Sequence, residues 1–121
     1  GFAGDYVEGM WLMMQHESPD DWVLATGDTH TVKEFAKEAF DIVGLNWEDY
    51  VVTSEKYFRP NEVDYLLGDS SKATNLLGWK PKTTFKDLVT KMVDEDLLLA
   101  KREKVLLEEN LIYPTWEHPK S

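Results

Sequence analysis

The chain has 121 residues and a net charge of -10, and 42% of its residues are hydrophobic. This composition suits one folded domain with one core. The excess of acidic residues argues against a general electrostatic attraction to nucleic acid or to an anionic membrane, and no apolar run is long enough to span a bilayer. The chain has no cysteine, which excludes disulfides and thiolate chemistry and fits a reducing compartment such as the cytoplasm.

Hydrophobic spacing predicts a first helix over residues 6–16, with Asp5 and Glu8 as a capping pair at its start. Its apolar face is broad, which indicates burial on more than one side. A nearly continuous apolar run at residues 22–26 then predicts a short strand that is covered on both faces.

The second predicted helix has the clearest sequence signals. Thr31 and Glu34 form a capping box before residues with helical apolar spacing, and Gly44 marks the end. A turn or short helical piece is predicted at residues 47–50, followed by a second short strand at residues 51–53.

A third short strand is predicted at residues 63–67, after a loop. A short helix over residues 70–77 follows, with Asp69 or Ser70 as its cap, and Gly78 ends it. The conformational freedom of Gly78 lets the chain reverse there, so that the next residue can pack back over the helix.

The last predicted helix begins at Thr84, which forms a capping pair with Asp87. Asp96 interrupts its apolar stripe, so residues 97–110 are expected to fray into a charged tail. The elements together predict an α/β fold of short strands with flanking helices. Three short strands make a thin sheet, and the chain begins at Gly1 without Met, so we expect a segment of a longer protein.

A search for catalytic motifs finds none. The three histidines, His16, His30 and His118, lack the spacing of a metal site. There is no glycine-rich turn for a dinucleotide, and no tyrosine has a lysine four residues later. The sequence therefore predicts no catalytic, cofactor-binding or metal-ligating residue in this chain.

Arg59 is the strongest candidate for a ligand contact. It precedes Pro60, follows the aromatic residues Tyr57 and Phe58, and stands three residues before Glu62. A guanidinium offers a planar fork to phosphate oxygens, and a carboxylate can accept two hydroxyl protons from a ribose. The pair predicts either a clamp for a nucleotide diphosphate or a local Arg-Glu salt bridge.

Several segments resemble, in chain order, the carboxyl-terminal region of extended short-chain dehydrogenases that modify nucleotide sugars. They are Phe58-Arg59-Pro60-Asn61-Glu62-Val63-Asp64, Leu67-Gly68-Asp69, Ser71-Lys72-Ala73, Leu77-Gly78-Trp79-Lys80-Pro81 and Thr84-Phe85. A narrower resemblance to the GDP-mannose 4,6-dehydratase family is carried by Gly4-Asp5-Tyr6-Val7-Glu8-Gly9-Met10-Trp11, Ala25-Thr26-Gly27-Asp28-Thr29-His30-Thr31-Val32-Lys33-Glu34-Phe35 and the residues from Tyr57 to Asp64. The resemblance covers residues 1–105 and leaves 106–121 as a charged helix end and tail.

The resemblance implies a substrate-binding domain without its partner. In such proteins an amino-terminal Rossmann domain binds NADP and carries the catalytic residues, and it is absent from this chain. The smaller carboxyl-terminal domain binds the nucleotide of the substrate. Arg59 falls on the phosphate-binding arginine, and Glu62 falls on the carboxylate that faces the ribose. Asn61 stands where Ala or Gly is frequent.

The implied reaction of the whole protein is the conversion of GDP-mannose to GDP-4-keto-6-deoxymannose and water, catalysed by a cytoplasmic homo-oligomer. This chain alone is expected to be inactive. Two alternatives remain at this point: the same domain of another nucleotide-sugar epimerase or reductase, and a free-standing acidic interaction module with no small ligand.

Overall fold

The computed structural model describes residues 1–57 and 65–113, and within these ranges it consists of four α-helices joined by irregular loops. The helices are α1 (Ala3–Gln15), α2 (Val32–Ile42), α3 (Ser71–Leu77) and α4 (Phe85–Glu108). Short 3-10 helices lie at Trp47–Asp49 and Glu55–Tyr57. Helix α2 packs along α4, and α1 lies against α3. No helix in the described ranges has the length and hydropathy needed to cross a bilayer.

Trp79 is the largest buried side chain among the described residues, at 1% exposure. Its indole N–H donates to the backbone carbonyl of Asp5 at 2.8 Å, and its ring stacks on Tyr6 with a centroid separation of 6.0 Å. Gly78 brings it there, because a φ of 70° ends α3 and lets the Trp79 N–H donate to the carbonyl of Ala73. The predicted helix end and the return of Trp79 are both confirmed.

Asp5 is a buried carboxylate in the first turn of α1. It accepts hydrogen bonds from the backbone N–H groups of Lys82 at 3.1 Å and Thr83 at 2.9 Å. Nearby, Glu8 forms an ion pair with the Lys82 ammonium at 2.9 Å. The predicted cap at Asp5 and Glu8 is therefore wrong. Helix α1 begins earlier, with Phe2 as its N-cap, and both acidic side chains bind the loop before α4.

Gly9 allows α1 to approach its neighbours closely. A Cβ at this position would lie 2.6 Å from Leu24 Cδ1 and 3.0 Å from the indole nitrogen of Trp79. Since that nitrogen is held by its hydrogen bond to Asp5, only Leu24 has freedom to move. A larger residue at position 9 would therefore require Leu24 to move.

Both predicted capping boxes are present. The Thr31 hydroxyl accepts from the Glu34 N–H at 3.1 Å, and the Glu34 carboxylate accepts from the Thr31 N–H. Thr84 and Asp87 repeat the arrangement at the start of α4. Gly44 follows α2 with a φ of 73°. These interactions span three or four residues, which explains why the sequence predicts them.

An aromatic cluster joins the starts of α2 and α4. The Phe85 ring stacks on the His30 imidazole at 3.8 Å between centroids and meets the edge of Phe35 at 6.2 Å. Because α2 and α4 begin side by side, the two capped helix ends are held together by this cluster.

The predicted strands are wrong where the structure describes them. Residues 22–26, 51–53 and 65–67 are irregular, and no strand occurs within residues 1–57 and 65–113; residues 63 and 64 lie outside the described ranges. Gly68 does lie directly against Ala25, where an added Cβ would overlap the Ala25 side chain. The two segments thus meet, but their backbones form no strand ladder. The described fold is helical, which corrects the α/β class.

Helix α4 continues without a break to Glu108, so the predicted interruption at Asp96 is wrong. The side chain of Asp96 is exposed, and its solvated carboxylate does not require the helix to end. Leu, Ala, Lys and Glu dominate the following turns and favour helix. The helix closes at Asn110, whose φ is 56°, and the Leu111 N–H donates to the Leu106 carbonyl at 2.9 Å.

We expect Asp5→Ala to lower the free energy of unfolding by about 2–4 kcal/mol, because two part-buried hydrogen bonds from backbone N–H groups lose their charged acceptor. Urea unfolding followed by tryptophan fluorescence measures the change. Asp94→Ala, at an exposed position in α4, is the control and should change stability little. Equal effects of the two substitutions would contradict a structural role for the buried carboxylate.

Candidate functional site

The two predicted site residues, Arg59 and Glu62, lie in the segment 58–64, outside the described residues. The structure describes the two ends that flank this segment. The 3-10 helix Glu55–Tyr57 leads into it, and an irregular stretch over 65–70 leads from it to α3. The clamp of Arg59 and Glu62 stays a prediction.

A pocket of about 530 Å³ lies beside the downstream flank, between Gly27 and the start of α3. Its described lining is Gly27, Leu67, Gly68, Asp69, Ser70, Ser71, Thr74 and Asn75. Hydroxyl and amide groups there can exchange hydrogen bonds with a polar ligand. These lining residues include a carboxylate and no cation, so an anionic ligand in this pocket requires a positive charge from another segment.

Asp69 shapes the entrance of this pocket. Its carboxylate accepts hydrogen bonds from the backbone N–H of Ser71 at 2.9 Å and from the Ser71 hydroxyl. These two bonds hold the pKa of Asp69 below its usual value, the hydroxyl bond contributing most. Asp69 thereby caps the start of α3, while Ser70 is the N-cap residue by position and its side chain forms no cap bond. The sequence predicted Asp69 or Ser70 as the cap of α3, and the structure shows that Asp69 provides the side-chain hydrogen bonds while Ser70 occupies the N-cap position.

Lys72 anchors the outer side of α3. Its ammonium lies 2.8 Å from the Asp20 carboxylate, donates to the Asp21 carbonyl at 2.9 Å and lies 4.9 Å from the centre of the Trp22 ring. The hydrogen bond from Lys72 is the main cause of a lowered pKa at Asp20. Lys72 is therefore engaged in joining α3 to the segment after α1, a role that sequence reasoning missed.

A second pocket, of about 460 Å³, lies where the aromatic cluster of α2 and α4 faces the amino terminus of the chain. Its lining is Gly1, Thr26, Asp28, His30, Pro81, Thr83, Thr84, Phe85 and Leu88. His30 contributes a ring that stacks on Phe85, and its Nδ1 lies 3.0 Å from the Glu34 carboxylate. With one face and one nitrogen in use, this imidazole serves packing. No group of three potential metal ligands occurs in the described ranges.

The outer side of α1 is an exposed apolar surface. Val7, Met10, Trp11 and Met14 are all more than half exposed, from 56% to 82%. Asp5 and Gly9 are the buried residues of α1. Only one side of the helix is covered within the described residues, so the predicted burial of α1 on more than one side stays a prediction.

Comparison with known proteins gives consistent matches. A family model described as GDP-mannose 4,6 dehydratase matches residues 1–92. GDP-mannose 4,6 dehydratase 1 of Arabidopsis thaliana is 65% identical over 108 residues, which are 89% of this chain and 30% of the relative. The GDP-mannose 4,6 dehydratase of Dictyostelium discoideum is 46% identical over 80% of this chain and 32% of the relative. The human one is 42% identical over 84% of this chain and 32% of the relative.

These matches place the chain in the class of dehydratase segments, and the described part of this segment is mainly helical. The chain belongs to the GDP-mannose 4,6 dehydratase family. It spans about a third of the length of the curated relatives it matches. The matches confirm the family resemblance that the sequence motifs indicate. They do not favour either alternative, which were a domain of another nucleotide-sugar epimerase or reductase and an acidic interaction module.

The two lowered carboxyl pKa values predict an acid-sensitive stability. Asp20 and Asp69 have folded pKa values below the ordinary 3.8, so their contribution is fully present above that pH and is lost as the pH falls through the folded values. Urea unfolding of wild type and of the Asp20→Asn/Asp69→Asn variant measures it.

The stability difference between the two proteins should be constant near neutrality and should shrink as the pH falls below 3.8. Asp41→Asn, at an exposed position in α2, is the control. A difference that grows on acidification would contradict the assigned hydrogen bonds.

Proposed function

We propose that this chain is the nucleotide-sugar-binding part of a GDP-mannose 4,6-dehydratase. The supporting observation is the family match over residues 1–92, a range that contains Arg59 and Glu62. The proposed reaction of the whole protein oxidises C4 of the mannose, removes water across C5 and C6, and returns the hydride to C6. The product is GDP-4-keto-6-deoxymannose.

In this proposal Arg59 binds the diphosphate through two parallel N–H groups, and Glu62 accepts hydrogen bonds from the ribose hydroxyls. The pocket between Gly27 and α3 is consistent with this proposal, since its described lining offers hydroxyl and amide groups and one carboxylate, so the positive charge for a diphosphate comes from another segment. A guanidinium from the adjoining segment 58–64 supplies the missing charge. Binding of the remote nucleotide positions the sugar for the chemistry, which raises turnover as well as affinity.

The cofactor proposed for the whole protein, NADP, does not fit the described residues of this chain. A dinucleotide pyrophosphate is usually held at a free helix N-terminus after a glycine-rich turn. Here the N-termini of α2 and α4 are closed by the side chains of Thr31 and Thr84, and the sequence has no glycine-rich turn. The lack of a glycine-rich turn in the sequence supports placing the cofactor and the catalytic residues in the part of the protein that this chain does not span.

The apolar outer side of α1 is the proposed contact with that other part. Val7, Met10, Trp11 and Met14 form an exposed apolar surface, which is suited to a protein partner. In the complete protein, which we propose to be a cytoplasmic homo-oligomer, a Rossmann domain covers this side.

A chimera tests the proposed function directly. This chain replaces the 108 matched residues of the Arabidopsis thaliana relative, to which it is 65% identical. We expect the chimera to release water from GDP-mannose, measured as the mass of the product. The chain alone should neither react with GDP-mannose nor bind NADP in calorimetry. A folded chimera that binds NADP and forms no dehydrated product would contradict the proposal.

In the same chimera, Arg59→Ala should cost about 2–4 kcal/mol in kcat/KM, because both charge and fork are lost. Arg59→Lys should fall between wild type and alanine, since it keeps the charge. Glu62→Gln should cost less than the alanine change, because an amide oxygen still accepts a ribose hydrogen bond. Steady-state kinetics and the melting temperature are measured together. A large fall in melting temperature with unchanged kinetics would identify Arg59 as a structural ion-pair partner instead.

A further inference from the structure

A shallow groove of about 490 Å³ runs along the carboxyl-terminal half of α4, and its described lining is Leu98, Lys101, Arg102, Val105 and Leu106. Leu98 and Val105 stand seven residues apart, so at 100° per residue they lie within about 20° of each other around the helix. Lys101 and Arg102 lie on either side of the line that joins them. This α4 groove is thus an apolar floor between two cationic side chains.

The two cations that border the α4 groove have no acidic partner in the described part of the chain. Residues three and four positions away, the spacing at which helical side chains meet, are only Leu, Val and Lys. Neither Lys101 nor Arg102 forms an ion pair within residues 1–57 and 65–113. Leu98 and Val105 are 46% and 57% exposed. The groove therefore suits an occupant that brings an apolar ring together with a negative charge.

The turn that ends α4 brings the chain beside this groove. Asn110 has a φ of 56°, its N–H donates to the Leu107 carbonyl at 3.1 Å, and the Leu111 N–H donates to the Leu106 carbonyl at 2.9 Å. This is the Schellman arrangement, in which the residue after the left-handed one lies against the last turns of its own helix. Since Leu106 lines the groove, the chain leaves α4 at the carboxyl-terminal end of the groove.

The residues after this turn carry the groups that the groove requires. Residues 114–121, called the tail, follow the described part and contain Trp116 and Glu117. Five extended residues from Leu111 to Trp116 span up to about 17 Å, whereas Arg102 lies about 6 Å before Leu106 along the helix axis. The tail is therefore long enough for Trp116 to reach the groove without any movement of α4.

We propose that the tail binds in the α4 groove of its own chain. The Trp116 ring lies on Leu98 and Val105 and presents its face to the neighbouring cations, and the Glu117 carboxylate pairs with the same cations. The tail is favoured over a separate partner because a connection of a few residues holds it at an effective millimolar concentration. The contact is independent of the proposed function, since the family match covers residues 1–92.

A spin label tests where the tail lies. The chain has no cysteine, so Thr115→Cys carries a single nitroxide next to Trp116. In NMR spectra of the isotope-enriched chain, the amide signal of Leu98 should be broadened, because docking brings the label over the groove. Adding Trp116→Ser should restore this signal. A mixture of spin-labelled chain without isotope and enriched chain without label should show no broadening, since the contact lies within one chain.

Hydrogen exchange measures what the contact does to α4. Amides of residues 98–106 should exchange about fivefold faster in Trp116→Ser than in wild type, and amides around Trp79 should not change. Lys101→Gln/Arg102→Gln, which keeps long side chains and removes both charges, should act in the same direction and should add nothing once Trp116 is replaced. Tyr113→Ser is the matched control, because this aromatic residue directly before the tail is 92% exposed.

Circular dichroism verifies that every variant is folded. Broadening of Leu98 that persists in the Trp116→Ser variant would overturn the proposal, because the ring would then not hold the tail. Broadening in the mixed sample would also overturn it and would indicate contact between copies. Equal exchange of residues 98–106 in Trp116→Ser and wild type would show that the tail does not occupy the groove.

Discussion

The buried carboxylate of Asp5 and the buried indole of Trp79 together connect most parts of the described fold. The carboxylate binds two backbone N–H groups of the loop before α4, and the indole binds the carbonyl of the same Asp5. One residue of α1 thereby binds both the residue that follows Gly78 and the loop before α4. Since Ala73, Trp79 and Val89 are the fully buried hydrophobic residues of the described part, this polar connection works beside a small apolar core, and the position of α2 follows from its packing on α4.

Signals that act over a few residues were predicted correctly from the sequence. Thr31 with Glu34 and Thr84 with Asp87 are local capping pairs, and Gly78 ends α3 through its own backbone conformation. Prediction failed where the partner is distant in sequence. Asp5 was taken for a local cap, but its hydrogen-bond partners are 77 and 78 residues away. The apolar run at 22–26 has the composition of a strand, yet no ladder partner meets it in the described ranges.

The residues of the candidate site also differ in whether the sequence alone could predict their roles. Arg59 and Glu62 were found through the residue types that bind phosphate and ribose and through family resemblance, both of which are local in sequence. The family match confirms the resemblance, whereas Arg59 and Glu62 lie outside the described residues, so their roles stay predictions. Lys72 could not be assigned from the sequence, because its role depends on the Asp20 carboxylate and the Asp21 carbonyl across a separation of 51 residues. Lys72 is thus engaged in packing, and the role of Arg59 as a phosphate ligand stays a prediction.

The unequal lengths of α2 and α4 have a dynamic consequence. Helix α2 has 11 residues and α4 has 24. Helix α2 therefore covers α4 from Phe85 to about Ala100, and the last two turns of α4 extend past it. We expect amide protons in the covered part of α4 to exchange through global unfolding. Amide protons of the last two turns should exchange through local fraying of the helix end. This fraying costs less free energy than global unfolding, because the helix end has few tertiary contacts. We therefore expect the last two turns of α4 to open without the rest of the fold, and a partner that binds them should slow their hydrogen exchange without altering exchange around Trp79.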